Sequence, residues 1–210
     1  MSSATFEGAP GAQLVIISGP SGVGKDTIIE AMKRRGERRD RDYVITCTTR
    51  ERRANEVDGI SYLFKSRPEF EAMRTSGGLL EAAEVHGNWY GTPRDQVVVA
   101  LAAGRDAILK IDVQGARAVR AVVPGSLLIF VVPPSLDALR ERLEGRSVET
   151  GERPEALQRR WRNAAAELAR RAEYDHVVQN ETGEVDGTAT AIDAIIDAEH
   201  ARCRDRRIRL

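Results

Sequence analysis

At 210 residues, with 41% hydrophobic and 30% charged side chains, the chain can bury one sizeable core, and these proportions exclude a disordered chain. No apolar run approaches the ~18 residues of a membrane span, so a membrane-embedded protein is excluded as well. Thirty-two Lys and Arg balance 32 Asp and Glu, which excludes a generally basic nucleic-acid binder and leaves any phosphate binding to local clusters.

The opening stretch "MSSATFEGAPGA" has neither a basic nor an apolar leader region, and residues 1–12 read as a short disordered lead. A cytoplasmic location follows, with Cys47 and Cys203, far apart and without metal spacing, as reduced thiols. Next, "QLVIISGP" is an apolar run closing in a glycine-rich turn, and "TIIEAMKRR" carries Ile28, Ile29 and Met32 at helical spacing. The predicted order is strand, loop, helix. The loop "GPSGVGKDT", Gly19 to Thr27, has the form GxxxxGK[ST] of a phosphate-binding loop except at Asp26, where a hydroxyl residue is usual. Gly19, Gly22 and Gly24 let the backbone turn so that N–H groups face phosphate oxygens at the positive end of the helix, and Lys25 adds a point charge. Asp26 brings a carboxylate beside a triphosphate, which repels unless a cation absorbs the charge. It either pairs with a nearby base or supplies an oxygen to magnesium, directly or through water.

The charge run "KRRGERRDRD", Lys33 to Asp42, reads as a solvated helix end in preference to a polyphosphate patch. Residues 43–96, rich in aromatics, β-branched residues and short polar turns, read as a small mixed insert facing the nucleotide site. Strand signals recur at "DAILKID" (Asp106 to Asp112), "SLLIFVV" (Ser126 to Val132) and "DHVVQN" (Asp175 to Asn180), separated by helical periodicity. This alternation predicts an α/β fold with a parallel sheet and helices on both faces. Polar residues, Gly145, Gly151 and a Pro154 suited to the first helical position mark 143–158 as a mobile lid. One domain is thus expected over 13–210, with its core at 13–42, 97–142 and 159–205. His86, His176 and His200 share no metal spacing and read as surface or structural residues. Trp89 either stacks on a base or fills the insert core, Trp161 packs on a helix face, and "ARCRDRRIRL" reads as a frayed terminus.

The insert carries a family likeness. "TCTTRERRANEVDGISYLF" is similar to the S-x-T-T-R-x-x-R-x-x-E-x-x-G-x-x-Y-x-F block of guanylate kinases, and "LLEAAEVHGNWYGT" and "IDVQG" match the next two blocks in order. With the phosphate loop, "RLEGR" at the lid and the late "VVQNE", the resemblance runs from about Gln13 to Arg202. It implies a P-loop kinase fold with a parallel core sheet flanked by helices, a GMP-binding insert and a lid. The implied activity is transfer of the γ-phosphoryl group of MgATP to GMP, and to dGMP as well. By this likeness ATP lies on Gly19, Pro20, Ser21, Gly22, Val23, Gly24, Lys25, Asp26 and Thr27. Asn180 either sits near the adenine or is a plain turn-former. Asp26, the departure from the family pattern, is the candidate magnesium ligand, directly or through water, with pairing to a base as the alternative. Arg50, Arg53, Tyr62 and Tyr90 look like the grip on the acceptor phosphate. Glu81 looks like the guanine reader, accepting from N1–H and the exocyclic amine where adenine offers neither. Thr46, Thr92 and Asp112 join these in the implied GMP-binding set, the two threonines at small-hydroxyl positions that read otherwise as strand and turn residues, and Asp112 keeping the carboxylate of its block. Lys25, Arg142, Arg146 and Arg160 resemble the cations that neutralise the transferring phosphoryl group, with solvated helix charge as the alternative for each arginine. No general base is obligatory, since alignment, neutralisation and water exclusion carry this reaction. ATP and GMP are the expected partners of a monomer or homodimer.

Two departures from the family pattern stand together. Its LDIDxQG block reads "LKIDVQG" here, with Lys110 for the first aspartate, while Asp26 adds a carboxylate in the loop. Strand ends and the phosphate loop meet at one edge of such a sheet, so the two are expected to compensate, as an ion pair or with Asp26 serving magnesium through water. A kinase for a ribose phosphate would need neither Glu81 nor the Arg50, Arg53, Tyr62, Tyr90 cluster. An interaction module that had lost catalysis would have degraded the loop that here keeps Lys25.

Overall fold

The computed structural model describes residues 6–35, 40–54, 56–85, 87–150 and 154–210, without the side chains at 146–150, 154 and 156. In chain order the elements are β1 (Leu14–Ser18), α1 (Lys25–Arg34), β2 (Arg41–Tyr43), β3 (Cys47–Thr48), β4 (Leu63–Phe64), α2 (Arg67–Thr75), β5 (Leu79–Val85), β6 (Asn88–Pro93), α3 (Arg94–Ala102), β7 (Asp106–Lys110), α4 (Val113–Val122), β8 (Leu127–Val132), α5 (Leu136–Thr150), α6 (Pro154–Ala169), a 3-10 turn (Arg170–Glu173), β9 (His176–Gln179) and α7 (Val185–Arg202). Five strands follow the order β2-β7-β1-β8-β9, and a smaller sheet follows β4-β3-β6-β5. The expected α/β class with a parallel core sheet holds. No described helix is long and apolar enough to cross a membrane.

The backbone divides into two compact units, one of residues 1–16, 39–127 and 202–210, the other of 17–38 and 128–201. In the first, β2 runs parallel to β7 with Tyr43 opposite Ile108. The small sheet is mixed, β3 being parallel to β4 and antiparallel to β6. Phe70, Leu101, Ile108 and Leu109 are among the buried side chains of this unit. α2 starts at a capping box between Ser66 and Glu69, which satisfies two otherwise orphaned N–H groups. In the second unit β8 runs parallel to β9 with Val131 opposite Val178. β8 is buried over most of its length, as a continuous apolar run must be when both faces of a parallel strand are covered. Ile28, Phe130, Leu139, Leu143 and Ile192 fill the space between its elements.

Three expectations need correction. The charge run is solvated at the end of α1, where Lys33 and Arg34 are exposed, but not throughout: residues 36–39 lie outside the described residues, and Arg41 then opens β2 at 6% exposure. Its Nε lies 3.9 Å from Asp106 Oδ2 with both side chains 1% exposed, and Asp106 Oδ1 accepts the Gln13 N–H at 2.9 Å. Charge enters this core because its partner enters with it. The supposed disordered lead is ordered from residue 6, and the supposed frayed terminus pairs with it. Phe6 and Leu210 exchange N–H to carbonyl bonds at 3.0 Å, Gly8 donates to Ile208 and Gly11 to Arg206. Ile208 is 2% exposed, so a buried apolar anchor holds a tail whose charge suggested solvent. Finally, α5 continues helically through 143–150, and Leu143 at its expected break is 2% exposed. Residues 151–153 of the expected lid lie outside the described residues.

Candidate active site

In the second unit the loop between β1 and α1 depends on three glycines with φ of 144°, 82° and 100° at Gly19, Gly22 and Gly24. A Cβ on Gly19 would lie 2.4 Å from the Val131 carbonyl oxygen, so neither the space nor the dihedral admits a side chain there. Side chains from later in the chain fasten this backbone. Asn180, 2% exposed, donates from Nδ2 to the Val23 carbonyl at 2.8 Å and accepts the Thr188 hydroxyl on Oδ1 at 2.9 Å. Arg142 donates to the same Val23 carbonyl at 3.2 Å and to Thr182 Oγ1 at 3.1 Å. The Ser21 N–H donates to the Glu167 carboxylate of α6 at 3.2 Å. Lys25, the first residue of α1, donates from Nζ to the Gly19 and Pro20 carbonyls at 2.6 and 3.0 Å. Its ammonium is therefore folded over the loop. The Thr27 hydroxyl donates to the Gly24 carbonyl at 2.7 Å.

Asp26 is exposed in the first turn of α1, where the positive end of the helix favours a carboxylate. Among the described residues no group of three or more His, Cys, Asp or Glu could hold a metal by itself. An exposed single carboxylate beside a phosphate loop nevertheless fits magnesium, which binds through one or two carboxylates plus phosphate and water. Arg160 is half-buried on α6, and the Arg146 side chain lies outside the described residues. Trp161 lines a cavity of about 460 Å³ with Leu143 and Leu157.

In the first unit β5 and β6 place Glu81 opposite Thr92, and the Thr92 hydroxyl donates to Glu81 Oε1 at 2.8 Å. Glu81 is 7% and Thr92 0% exposed, while Glu81 Oε2 has no hydrogen-bond partner among the described residues. Burial raises the Glu81 carboxyl to a pKa of about 7; the Thr92 hydroxyl opposes this and the Asp112 charge adds to it. The space at Oε2 exists because residue 115 is glycine. A Cβ there would lie 3.2 Å from Glu81 Oε2 and 3.3 Å from Asp112 Oδ1. Asp112 itself caps α4, its Oδ1 accepting the Gly115 N–H at 2.8 Å. A buried carboxylate oxygen left in this condition is costly until something donates to it.

In the same unit, β3 leads into a basic turn. Arg50 donates to Glu56 Oε1 at 2.7 Å, the Arg53 N–H donates to Oε2 at 2.9 Å, and the Arg53 guanidinium lies 3.7 Å from Oε1. Burial would raise the Glu56 pKa, but the hydrogen bonds from Arg50 and the Arg53 N–H outweigh it and lower it. The Arg50 guanidinium stands 5.5 Å from the centre of the Tyr62 ring and 5.8 Å from that of Phe64. Tyr62 and Tyr90 meet edge to face at 6.0 Å. Expected residues are thus joined as Glu81 with Thr92, Arg50 with Tyr62, and Tyr62 with Tyr90. Thr46 is buried, and its carbonyl accepts the Leu63 N–H at 3.0 Å as a strand residue would. Trp89 lies 6.0 Å from Phe70 with Arg74 over its ring, which is the core reading of that residue. Cys47 is raised to a pKa of about 11 by burial and donates to the Gly91 carbonyl.

Sequence reasoning passed over Glu56, although it stands in the R-x-x-R-x-x-E block three residues after Arg53, a spacing that signals a shared carboxylate. Glu167 and Thr188 carry no such local signal: Glu167 reaches the loop from α6 only in three dimensions, and Thr188 acts on it through Asn180. Arg142 and Asn180, expected beside the transferring phosphoryl group and the base, hold loop backbone.

A sequence model of the guanylate kinase family matches residues 11–199. The guanylate kinase of Halalkalibacterium halodurans is 44% identical over 195 residues, 93% of this chain and 92% of that one. That of Bacillus subtilis is 43% identical over 189 residues, 90% of each. The crystal structure of guanylate kinase from Anaplasma phagocytophilum, 29% identical, has a TM-score of 0.73 and covers 94% of this chain and 91% of that one.

Proposed function

From the premise that the chain belongs to the guanylate kinase family, we propose that it transfers the γ-phosphoryl group of ATP to GMP, giving ADP and GDP. The observation that carries the acceptor's identity is Glu81, buried, with Oε1 engaged by Thr92 and Oε2 awaiting a donor. Guanine offers N1–H and an exocyclic amine to such a carboxylate, whereas adenine offers an acceptor at N1 and would leave the charge unpaired. dGMP presents the same edge and serves as a second acceptor.

The loop N–H groups and Lys25 hold the donor's outer phosphates, Lys25 exchanging the Gly19 and Pro20 carbonyls for phosphate oxygens. Asn180 and Arg142 keep the loop in its receiving shape through Val23. Arg50, Arg53, Tyr62 and Tyr90 hold the acceptor phosphate, with Glu56 fixing the direction of both arginines. Magnesium belongs to this reading as the companion of ATP; Asp26 would hold it directly or through water, and it would supply neutralisation of phosphate charge. Arg146 and Arg160 add positive charge to the transferring group, and 143–158 acts as the lid that excludes water. A cytoplasmic location completes the reading.

The test is ADP release with MgATP and, in turn, GMP, AMP, UMP and ribose 1,5-bisphosphate. Turnover with GMP should exceed that with AMP by a factor on the order of 10⁴. Turnover with the ribose phosphate in place of GMP would overturn the assignment.

A further inference from the structure

Arg142 and Asn180 both fasten the phosphate loop at Val23. Glu167 takes another point of attachment and comes from another element. From α6 its Oε2 accepts the Ser21 N–H at 3.2 Å, across 146 positions, in a partly buried contact. An ionised acceptor makes this a charge-assisted bond, stronger than one between neutral groups. No role for Glu167 follows from the family blocks, and phosphoryl transfer requires no base there.

α6 carries a second charged residue in phase with the first. Arg160 and Glu167 are seven positions apart, with Ala164 between them. At 3.6 residues per turn, positions 160, 164 and 167 fall on one face. Ala164 is buried, and Arg160 and Glu167 are half-buried, so this face is turned inward, and the bond from Ser21 shows that it meets the loop. Arg160 therefore stands two turns, about 10.5 Å, along the helix from that bond. The apolar stripe beside it holds the helix less firmly. Leu157 and Trp161 line a cavity with Leu143 of α5, and side chains that border open space forgo part of their dispersion contacts. A directional bond at Ser21 sets the rotation and height of the helix that loose apolar packing leaves undetermined.

Resting on the reading of ATP as donor and of Arg160 as a cation for the transferring group, we propose that Glu167 is a positioning residue for phosphoryl transfer. By tying α6 to Ser21 it makes one piece of the loop that holds the outer phosphates and the arginine that neutralises the group in flight. Its action passes through Arg160, with no contact to either nucleotide. A misplacement of about 1 Å in such a group can cost on the order of 100-fold in rate.

The experiment uses wild type, Glu167→Ala, Glu167→Gln, Arg160→Ala and the double variant of Glu167→Ala with Arg160→Ala. Steady-state kinetics give kcat and KM for ATP and GMP, and calorimetry gives ATP affinity. Glu167→Ala should lower kcat about 10- to 100-fold, with KM for GMP and ATP affinity within about threefold of wild type. Glu167→Gln keeps an acceptor oxygen for Ser21 and should recover most of the loss. In the Arg160→Ala background, Glu167→Ala should cost less than about threefold, because the group it positions is already gone. Additive losses in the double variant would overturn the proposal. So would lost ATP affinity with kcat unchanged, which would make Glu167 a support of the loop alone. Tighter ATP binding by Glu167→Ala would also overturn it, by showing a carboxylate that competes with phosphate for the loop. A wild type that releases no ADP with GMP would refute the proposed reaction and the proposal with it, a result visible without any variant.

Discussion

Glu81 makes guanine recognition a proton-linked event. A carboxyl that ionises near pH 7, in place of its ordinary 4.5, is about nine-tenths neutral at pH 6 and nine-tenths ionised at pH 8. Only the ionised form offers acceptors to both guanine donors, so guanosine should bind roughly tenfold more tightly at pH 8 than at pH 6. Guanosine is the right probe, because the phosphate of GMP titrates near pH 6 on its own account. The sign in the free protein is the reverse. Between about pH 4.5 and 7 the folded state retains a proton that the unfolded chain has lost, so stability declines as pH rises through that window, by about 3 kcal/mol in full. Calorimetric titrations of guanosine at pH 6, 7 and 8, repeated in buffers of different ionisation heat, should show proton release below pH 7. Glu81→Gln should bind weakly and without pH dependence. Wild-type affinity that is flat from pH 6 to 8, with no proton release, would refute the reasoning.

Two further outcomes follow from the same unit. Gly115→Ala puts a Cβ 3.2 Å from Glu81 Oε2 and should raise KM for GMP about tenfold, the effect of misplacing one specific hydrogen bond, with KM for ATP unchanged in the same assay. Asp106→Asn leaves Arg41 charged and buried and should cost about 3–5 kcal/mol in chemical denaturation. The double variant Arg41→Met with Asp106→Leu should cost less than the single one.

Much of this was legible from local pattern. The runs at 14–18, 106–110 and 127–132 are apolar enough to be strands wherever they occur, and the glycines of the loop announce the turn they permit. What escaped was whatever depends on a distant partner. β2 is three residues long with two of them charged, and nothing near Arg41 reveals that Asp106 will meet it in the core. The tail at 206–210 looks solvated because its charges are visible and the single buried Ile208 is not. Leu143 read as the edge of a polar lid, though its side chain reaches Gly22, where a Cβ would lie 2.8 Å from it. In the site, family blocks pointed to Glu81 and Arg50, while Glu167 meets Ser21 of the loop across 146 positions and Thr188 acts on the loop only through Asn180, eight positions earlier.

The pairing of residues 6–11 with 206–210 also sets a timetable. Glu7 and Arg209 are separated by 202 positions, and a ribosome adding about 5–20 residues per second takes roughly 10–40 s to cover that distance. Throughout that interval the N–H groups of Phe6, Gly8 and Gly11 have no carbonyl of the late segment to meet. Translation speed, and any holdase waiting at the tunnel exit, therefore governs how long this early backbone stays open to the wrong strand.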